Sequence, residues 1–352
     1  MTQINYKTIL FIIFFLSIST IVNAKCINNI EILKDSGFQE IIIIVSDLKN
    51  AKKSWVTIGQ YEVICANHQN SELSKIWKLN SETQVSEILL RKGRSNRSYI
   101  RLVHIEGLED NQIRSSGMPW DTGGYFDLYH YVSDVDKIFN QLRKLGWQAY
   151  NDPIQYELQI FKIKEVIIRG PNGEVLCLMQ REEPPYDKNY VESNEGISWP
   201  FNIVTIVENY RENINFFENI LGWHVYLSGE NKYSEPGFNP SGIPSNLASK
   251  LSQRFTRFSP TKTDGFGSIQ VLKNNGLKGK NFSPKSIYPN LGLYTTRFIV
   301  SNINVLLKRI NDNGYPLETK LTKMKIDPYG LVKIIALNTP SGARIEFLEI
   351  IN

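Results

Sequence analysis

The 352-residue sequence predicts an α+β fold built from four repeats of the order β-α-β-β-β. The first observation behind this is a recurring phrase. Val132-Ser133-Asp134 opens an amphipathic run ending at Gly146-Trp147, and Val300-Ser301-Asn302 opens another ending at Gly314-Tyr315, each fourteen residues from Val to Gly. Val45-Ser46-Asp47 reaches Gly59 at the same interval, and Val207-Glu208-Asn209 reaches Gly222-Trp223 with one residue more. The second is that each phrase follows a β-rich run and precedes others. The third is register: Gly173 to Gly342 spans 169 residues, against 168 from Val132 to Val300. Such repetition marks a chain built by duplication, so functional residues belong at equivalent positions of the copies.

The chain opens with a different kind of segment. Lys7 is the only charge before an apolar run from Ile9 to Leu16, and Val22-Asn23-Ala24 supplies the residues a signal peptidase reads. This predicts export to the periplasm or medium after cleavage behind Ala24, because the run is short for a bilayer span of roughly 20 residues. Cys26 follows closely, but Lys25 does not fit a lipoprotein signal. Removing residues 1–24 from 352 leaves 328, ample for two domains, and lowers the net charge from +5 to +4 with the loss of Lys7. That charge is too mild for nucleic acid, and no Lys/Arg run carries interleaved aromatics. Neither nucleic acid nor, after cleavage, a membrane is an expected partner. Cys26, Cys65 and Cys177 remain, an odd count that cannot form a complete disulfide framework. An oxidising compartment permits a Cys26–Cys65 bridge and equally leaves it open, whereas Cys177 lies in an apolar strand and reads as a small buried residue.

The first copy runs from Phe38 to His104. In the second, Phe126 to Val132 is a strand, Asp134 caps a helix, and Val135, Ile138, Phe139 and Leu142 follow at helical spacing until Gly146 stops it. Trp147 to Tyr150, Phe161 to Arg169, the turn Gly170-Pro171-Asn172-Gly173 and Glu174 to Gln180 complete the unit. The third copy runs from Phe201 to Leu272, and its Ser-, Pro-, Asn- and Gly-rich stretch Ser228 to Asp264 reads as a long loop. The fourth has a strand from Leu293 to Val300, a helix from Ile303 to Asn313, strands near Glu318 to Lys323 and Val332 to Asn338, and a last strand from Arg344 to Ile350. Glu106 to Gly124 joins copies one and two, and Glu182 to Pro200, with Pro184-Pro185, reads as an interdomain linker. The expected division is therefore 25–182 for one domain, 183–200 for the linker and 201–352 for the other, with copies paired one-two and three-four.

These residues resemble the vicinal oxygen chelate superfamily, the glyoxalase, bleomycin-resistance and extradiol-dioxygenase group. The matching phrases are the strand into Val-Ser-Asp, the helix ending in Ile220-Leu221-Gly222-Trp223, and the final Pro340-Ser341-Gly342-Ala343-Arg344-Ile345-Glu346-Phe347. The resemblance covers nearly all of residues 38 to 350. It implies βαβββ modules pairing into two cupped, glyoxalase-like sheets of eight strands, each around a small-molecule cavity. It also implies metal ligands, typically His, Gln or Glu, on the first and last strands of the modules.

By the family comparison, the first-strand positions are Glu40, Asp127, Asn202 and Thr295, and the last-strand positions are Arg101, Cys177, Gln270 and Glu346. Under the expected pairing, the first domain offers Glu40, Arg101, Asp127 and Cys177, and the second Asn202, Gln270, Thr295 and Glu346. Transition ions are held by His, Cys or carboxylate sets, so no family-type metal and no other cofactor is expected, with Mn, Fe, Ni or Zn the ions that an atypical site would take. Arg101 is expected to pair with Glu40 or Asp127, and Arg297 and Arg344 with Glu346. Glu346 is the candidate general base, a role that needs it free of those guanidinium groups. Asp127, Tyr129 and Tyr131 alternate onto one face of their strand, so with Glu40, Arg101, Asn202, Gln270, Thr295 and Arg297 they form the expected lining for a small-molecule ligand. His104 and His130 are expected on opposite faces from these positions, and His68 and His224 near second strands. The sequence contains no HExxH, paired CxxC, GxSxG or GxxxxGK[ST] motif. A lyase, isomerase or dioxygenase with an atypical site is the alternative to a binding protein.

Overall fold

A computed structural model describes residues 26–27, 30–67, 71–80, 82–107, 109, 111–158, 160–185 and 196–351. Residues 1–25, where the signal peptide is expected, His68 and residues 186–195 of the expected linker lie outside the described residues. Four modules follow one another along the chain. The first holds β1 (Glu40–Ile44), β2 (Glu62–Asn67), β3 (Val85–Arg91) and β4 (Tyr99–Ile105). The second holds β5 (Leu128–Tyr131), β6 (Gln148–Ala149), β7 (Ile154–Leu158), β8 (Phe161–Arg169) and β9 (Val175–Glu183). The third holds β10 (Asn202–Ile206), β11 (His224–Lys232), β12 (Ser252–Ser259) and β13 (Ser268–Asn275). The fourth holds β14 (Gly292–Ile299), β15 (Thr319–Ile326), β16 (Gly330–Asn338) and β17 (Arg344–Ile350).

The repeated phrase is a helix start. Asp47, Asp134, Asn209 and Asn302 each accept a backbone N–H from the first helical turn, satisfying donors that would otherwise be orphaned. The helices Leu48–Lys52 and Tyr210–Asn215 continue into wider, π-type turns over Lys53–Ile58 and Phe216–Ile220. The helix Val135–Arg143 is regular, and Gly146 beyond it takes a φ of 87°, which a side chain would strain.

Two sheets result, and they gather the modules in an unexpected way. One has the order β15-β16-β17-β14-β1-β4-β3-β2, the other β11-β12-β13-β10-β5-β9-β8-β6 with β7 also on β8. Module one therefore pairs with module four, and two with three. At each centre two first strands run antiparallel, β1 beside β14 and β5 beside β10. This corrects the expected one-two and three-four pairing and the division of the chain at 183–200. Sequential neighbours usually pack together, but duplicated modules present the same edge, so sequence order alone does not choose the partner. The connector after β4 crosses to the second sheet, and the connector after β13 crosses back beside it, with bridges at Gln112 to Leu291 and Thr122 to Asn281.

Two details differ from the sequence reading. The stretch from Ser228 to Asp264 is no simple loop, because β11 and β12 run through it as a paired hairpin. β11 is a solvent-exposed edge strand, and such strands need no apolar face to pattern them. The second strand of module two is split into β6 and β7 around Asp152-Pro153, since proline cannot donate to a ladder. The largest apolar cluster lies between the sheets, joining Ile41 and Ile100 of one to Leu176 and Ile203 of the other, with Trp55, Ile138, Phe217 and Ile310 from the helical segments. The outer, concave faces are left to carry polar chemistry.

Candidate functional site

Alternation along β1 sends Ile41 and Ile43 into the central core and Glu40, Ile42 and Ile44 to the concave face. The same rule places Arg101 on β4, Glu87 on β3, Arg297 on β14 and Glu346 on β17. Together they form an alternating ladder. Arg101 Nη1 donates to Glu87 Oε1 at 2.7 Å, and its Nη2 donates to Glu40 Oε2 at 2.9 Å and to the Asp327 carbonyl at 2.8 Å. Arg297 joins Glu40 at 2.5 Å to Glu346 at 2.5 Å. Arg344 reaches Glu346 at 3.1 Å and also pairs with Glu318. Tyr329, from the β15–β16 hairpin, donates to Glu40 at 3.2 Å, and Thr295 donates to the Arg344 carbonyl at 3.1 Å. The ladder is buried, with Glu40 and Glu346 both at 0% exposure.

Burial alone would raise the Glu40 carboxyl, but Arg101 and Arg297 outweigh it and hold that group below the usual carboxylate range. Burial is likewise opposed at Glu346 by Arg297 and Arg344, with the same result. The freedom from guanidinium groups that a general base at Glu346 requires is therefore not met. The family positions brought together here are Glu40, Arg101, Thr295 and Glu346, with guanidinium groups bonded directly between the carboxylates. This donor set does not fit a divalent cation.

The concave face of the second sheet differs in kind. It gathers Asp127, Cys177, Asn202 and Gln270, and register places Tyr129 directly beside Cys177 and Asn202. The expected Arg101–Asp127 contact does not form, because the two residues belong to different sheets. Asn202 shares a hydrogen bond of 3.4 Å with Gln270 and accepts from Ser268 Oγ at 3.1 Å. Tyr131 stacks on Phe201 at 4.1 Å, and Tyr129 meets the same ring edge-on. One carboxyl, one thiol and two amides make a poor donor set, and no group of three or more His, Cys, Asp or Glu suits a metal ion among the described residues.

Asp127 is buried, and its Oδ1 has no hydrogen-bond partner among the described residues. Burial first, and then the neighbouring Glu165 carboxyl, push it well above the usual carboxylate range, with Arg114 only partly opposing. Glu165 itself is pushed by burial up to about 7, although it accepts from Tyr156 at 2.9 Å and interacts with Cys177. Burial also raises the Cys177 thiol, which therefore stays protonated. Beside these acids a cleft of about 840 Å³ opens between Tyr150 and Ile154 on one wall and Phe238 and Ile243 on the other. Ile154 is the register partner of Glu165. The cleft flanks the acids and does not lie over them.

Sequence reasoning missed Glu165, and the signal was present: Ile163, Glu165 and Ile167 alternate onto one face of β8. Glu87 escaped in the same way. The histidines fall as expected where they are described. His130 is fully buried, bonds the Ser198 carbonyl at 2.6 Å and is held neutral by burial, which lowers it to about 3. His104 bonds the Val45 carbonyl at 3.2 Å, and His224 begins β11.

The chain has the vicinal oxygen chelate fold. Glyoxalase I from Zea mays superposes with a TM-score of 0.57 at 12% identity, covering 89% of this chain and 92% of the other. A putative dioxygenase from Bacillus subtilis gives 0.55 at 11% identity, covering 91% and 87%. Each likeness spans nearly the whole of both chains, so all four modules are shared, and at this identity the likeness concerns fold alone. No protein-family model matches the sequence. No curated protein matches it either.

Proposed function

We propose that this chain is an exported small-molecule-binding protein, and that its ligand sits on the concave face of modules two and three beside Asp127 and Glu165. The observation that carries this reading is the unpartnered, buried Oδ1 of Asp127. A buried polar atom without a partner costs about 1–3 kcal/mol, which a ligand donor would recover. The walls are aromatic, so an organic molecule bearing a hydrogen-bond donor or a cationic nitrogen suits them. The adjoining cleft is within the usual size range for such ligands, roughly 300–1,000 Å³.

In this reading the concave face of modules one and four is structural, and neither face holds the family metal. Export is supported by the Cys26–Cys65 disulfide, a bond at home in oxidising compartments. Among the described residues no helix is long and apolar enough to cross a membrane. A second reading is favoured by Glu165: a buried carboxyl near 7 next to Tyr156 suits general acid–base work in an isomerase or lyase.

Thermal shifts with a panel of small aromatic and aliphatic amines, run on the parent and on Asp127→Asn, test the binding reading. Stabilisation of the parent that is lost in the variant is the expected result, and equal response of both would overturn it. Elemental analysis of the purified protein tests the metal claim, since about one Mn, Fe, Ni or Zn per chain would refute it. Mass measurement of the exported chain should place its first residue at Lys25.

A further inference from the structure

At the end of β8 remote from Tyr156 the protein has a second opening, of about 610 Å³. It lies where the two crossing connectors meet the end of that strand. Its lining contains two cations, Arg169 and Lys285, and no acid. Ser115, Ser116, Asn111 and Asn290 supply hydroxyl and amide groups around them. This is an unusual composition, because pockets for small organic ligands are mostly apolar.

The cations are not neutralised locally. Neither forms an ion pair among the described residues, whereas the arginines of the concave ladder all do. Arg169 donates one Nη2 bond to Gln112, and its buried Nε has no partner among the described residues. Glu174 is the acid whose charge is felt at Arg169, but its oxygens are taken by the backbone N–H of Asn172 at 2.9 Å and by Asn172 Nδ2 at 3.2 Å. Gln112 is fixed from behind, since its Nε2 donates to the Pro171 carbonyl at 2.8 Å and leaves Oε1 to hold the guanidinium. Arg169 is thus oriented by a neutral group, and no acid is paired with its guanidinium among the described residues.

We propose that this opening binds a phosphorylated small molecule, with the phosphoryl group between Arg169 and Lys285 and the polar body against Ser115, Ser116 and the amides. A guanidinium edge matches two phosphoryl oxygens, and Lys285 adds a point charge. The volume exceeds what a bare phosphate needs, so a body of sugar size is accommodated. The site is separate from the Asp127 face and does not depend on it.

Isothermal titration of the full chain at constant ionic strength tests this. The probes are inorganic phosphate, glucose 6-phosphate, glucose, succinate and chloride. Saturable binding of phosphate, tighter binding of the sugar phosphate and none of glucose or chloride are expected. Lys285→Gln should weaken phosphate by about tenfold or more, and because Lys285 is exposed this variant should fold normally. Arg169→Gln should abolish it, with near-ultraviolet circular dichroism confirming the fold. Absence of saturable phosphate binding, or undiminished binding in Lys285→Gln, overturns the proposal. Succinate binding as tightly as phosphate would overturn the phosphoryl class.

Discussion

Arg297 and Glu40 are 257 residues apart in sequence, yet they are register partners on the two central strands of one sheet and meet at 2.5 Å. This contact joins the beginning of the chain to its last module. It also carries the middle of a ladder in which Arg101 and Arg297 each neutralise acids from the strands on either side.

Removing one arginine from that ladder should be expensive. Arg101→Ala leaves Glu87 without its guanidinium partner and halves the neutralisation of Glu40, both at 2% exposure or less. Breaking a buried ion pair costs on the order of 3–5 kcal/mol, and less where water enters. Urea denaturation of the variant should show a loss of that size. A variant as stable as the parent would mean that the ladder is hydrated.

The acids of the other concave face predict a pH dependence of opposite character. Glu165 titrates at about 7 in the folded chain against 4.5 ordinarily. A raised carboxyl contributes stability that is present below the unfolded value and is lost as pH rises through the folded one. Glu174, also raised by burial to about 7, acts in the same direction. His130 acts oppositely, since burial lowers it to about 3 and the folded state is penalised as pH falls below 6.5. The difference between parent and Glu165→Gln isolates the first group. Chemical denaturation at pH 5 and pH 8 should show the variant gaining about 2–3 kcal/mol relative to the parent over that interval.

Cys26 and Cys65 clip the segment before β1 onto β2, assisted by the Ile27 N–H donating to Ile64 at 2.9 Å. The bond closes a separation of 39 residues. Cys65→Ser should cost about 2–4 kcal/mol, and the parent under reductant should melt like the variant. Equal melting of oxidised parent and variant would sink this.

Gly37 stands where the sheets touch. A Cβ there would lie 2.0 Å from the Phe266 carbonyl oxygen and 2.6 Å from the Gly267 Cα, both backbone atoms that cannot swing aside. Gly37→Ala should therefore destabilise the chain by about 1–3 kcal/mol. The same measurement should find no such loss in Gly237→Ala, where a Cβ meets nothing within 4 Å.

The modules were legible in the sequence because helix caps and closing glycines are local chemistry: Asp134 with Gly146, and Asn302 with Gly314, stand at the same interval of twelve residues. The inward positions of Glu40, Arg101, Asp127 and Glu346 came from the family resemblance, and that of Tyr129 from strand alternation with Asp127. Partner choice was not legible by proximity in the chain, yet charge carried it. The inward acids Glu40 and Glu346 and the inward arginines Arg101, Arg297 and Arg344 all belong to modules one and four. Pairing one with two would have set Arg101 against Asp127 and left Arg297 and Arg344 to share Glu346. Glu165 was missed because a single acid within β8 leaves no mark on the repeat.

The pairing of one with four around two and three is a nesting, like one parenthesis inside another, and it imposes an order on synthesis. Modules two and three are finished once residue 275 has emerged, and their sheet is complete within itself. Module one is made first but must wait for β14, with β1 presenting an unpaired edge that belongs beside it. During that interval the nascent chain carries an open strand and a Glu40 that has Arg101 but still lacks Arg297, the kind of surface that holdases shield and stray strands attack. A chain released just before Gly292 should therefore display a folded middle and an unfinished beginning.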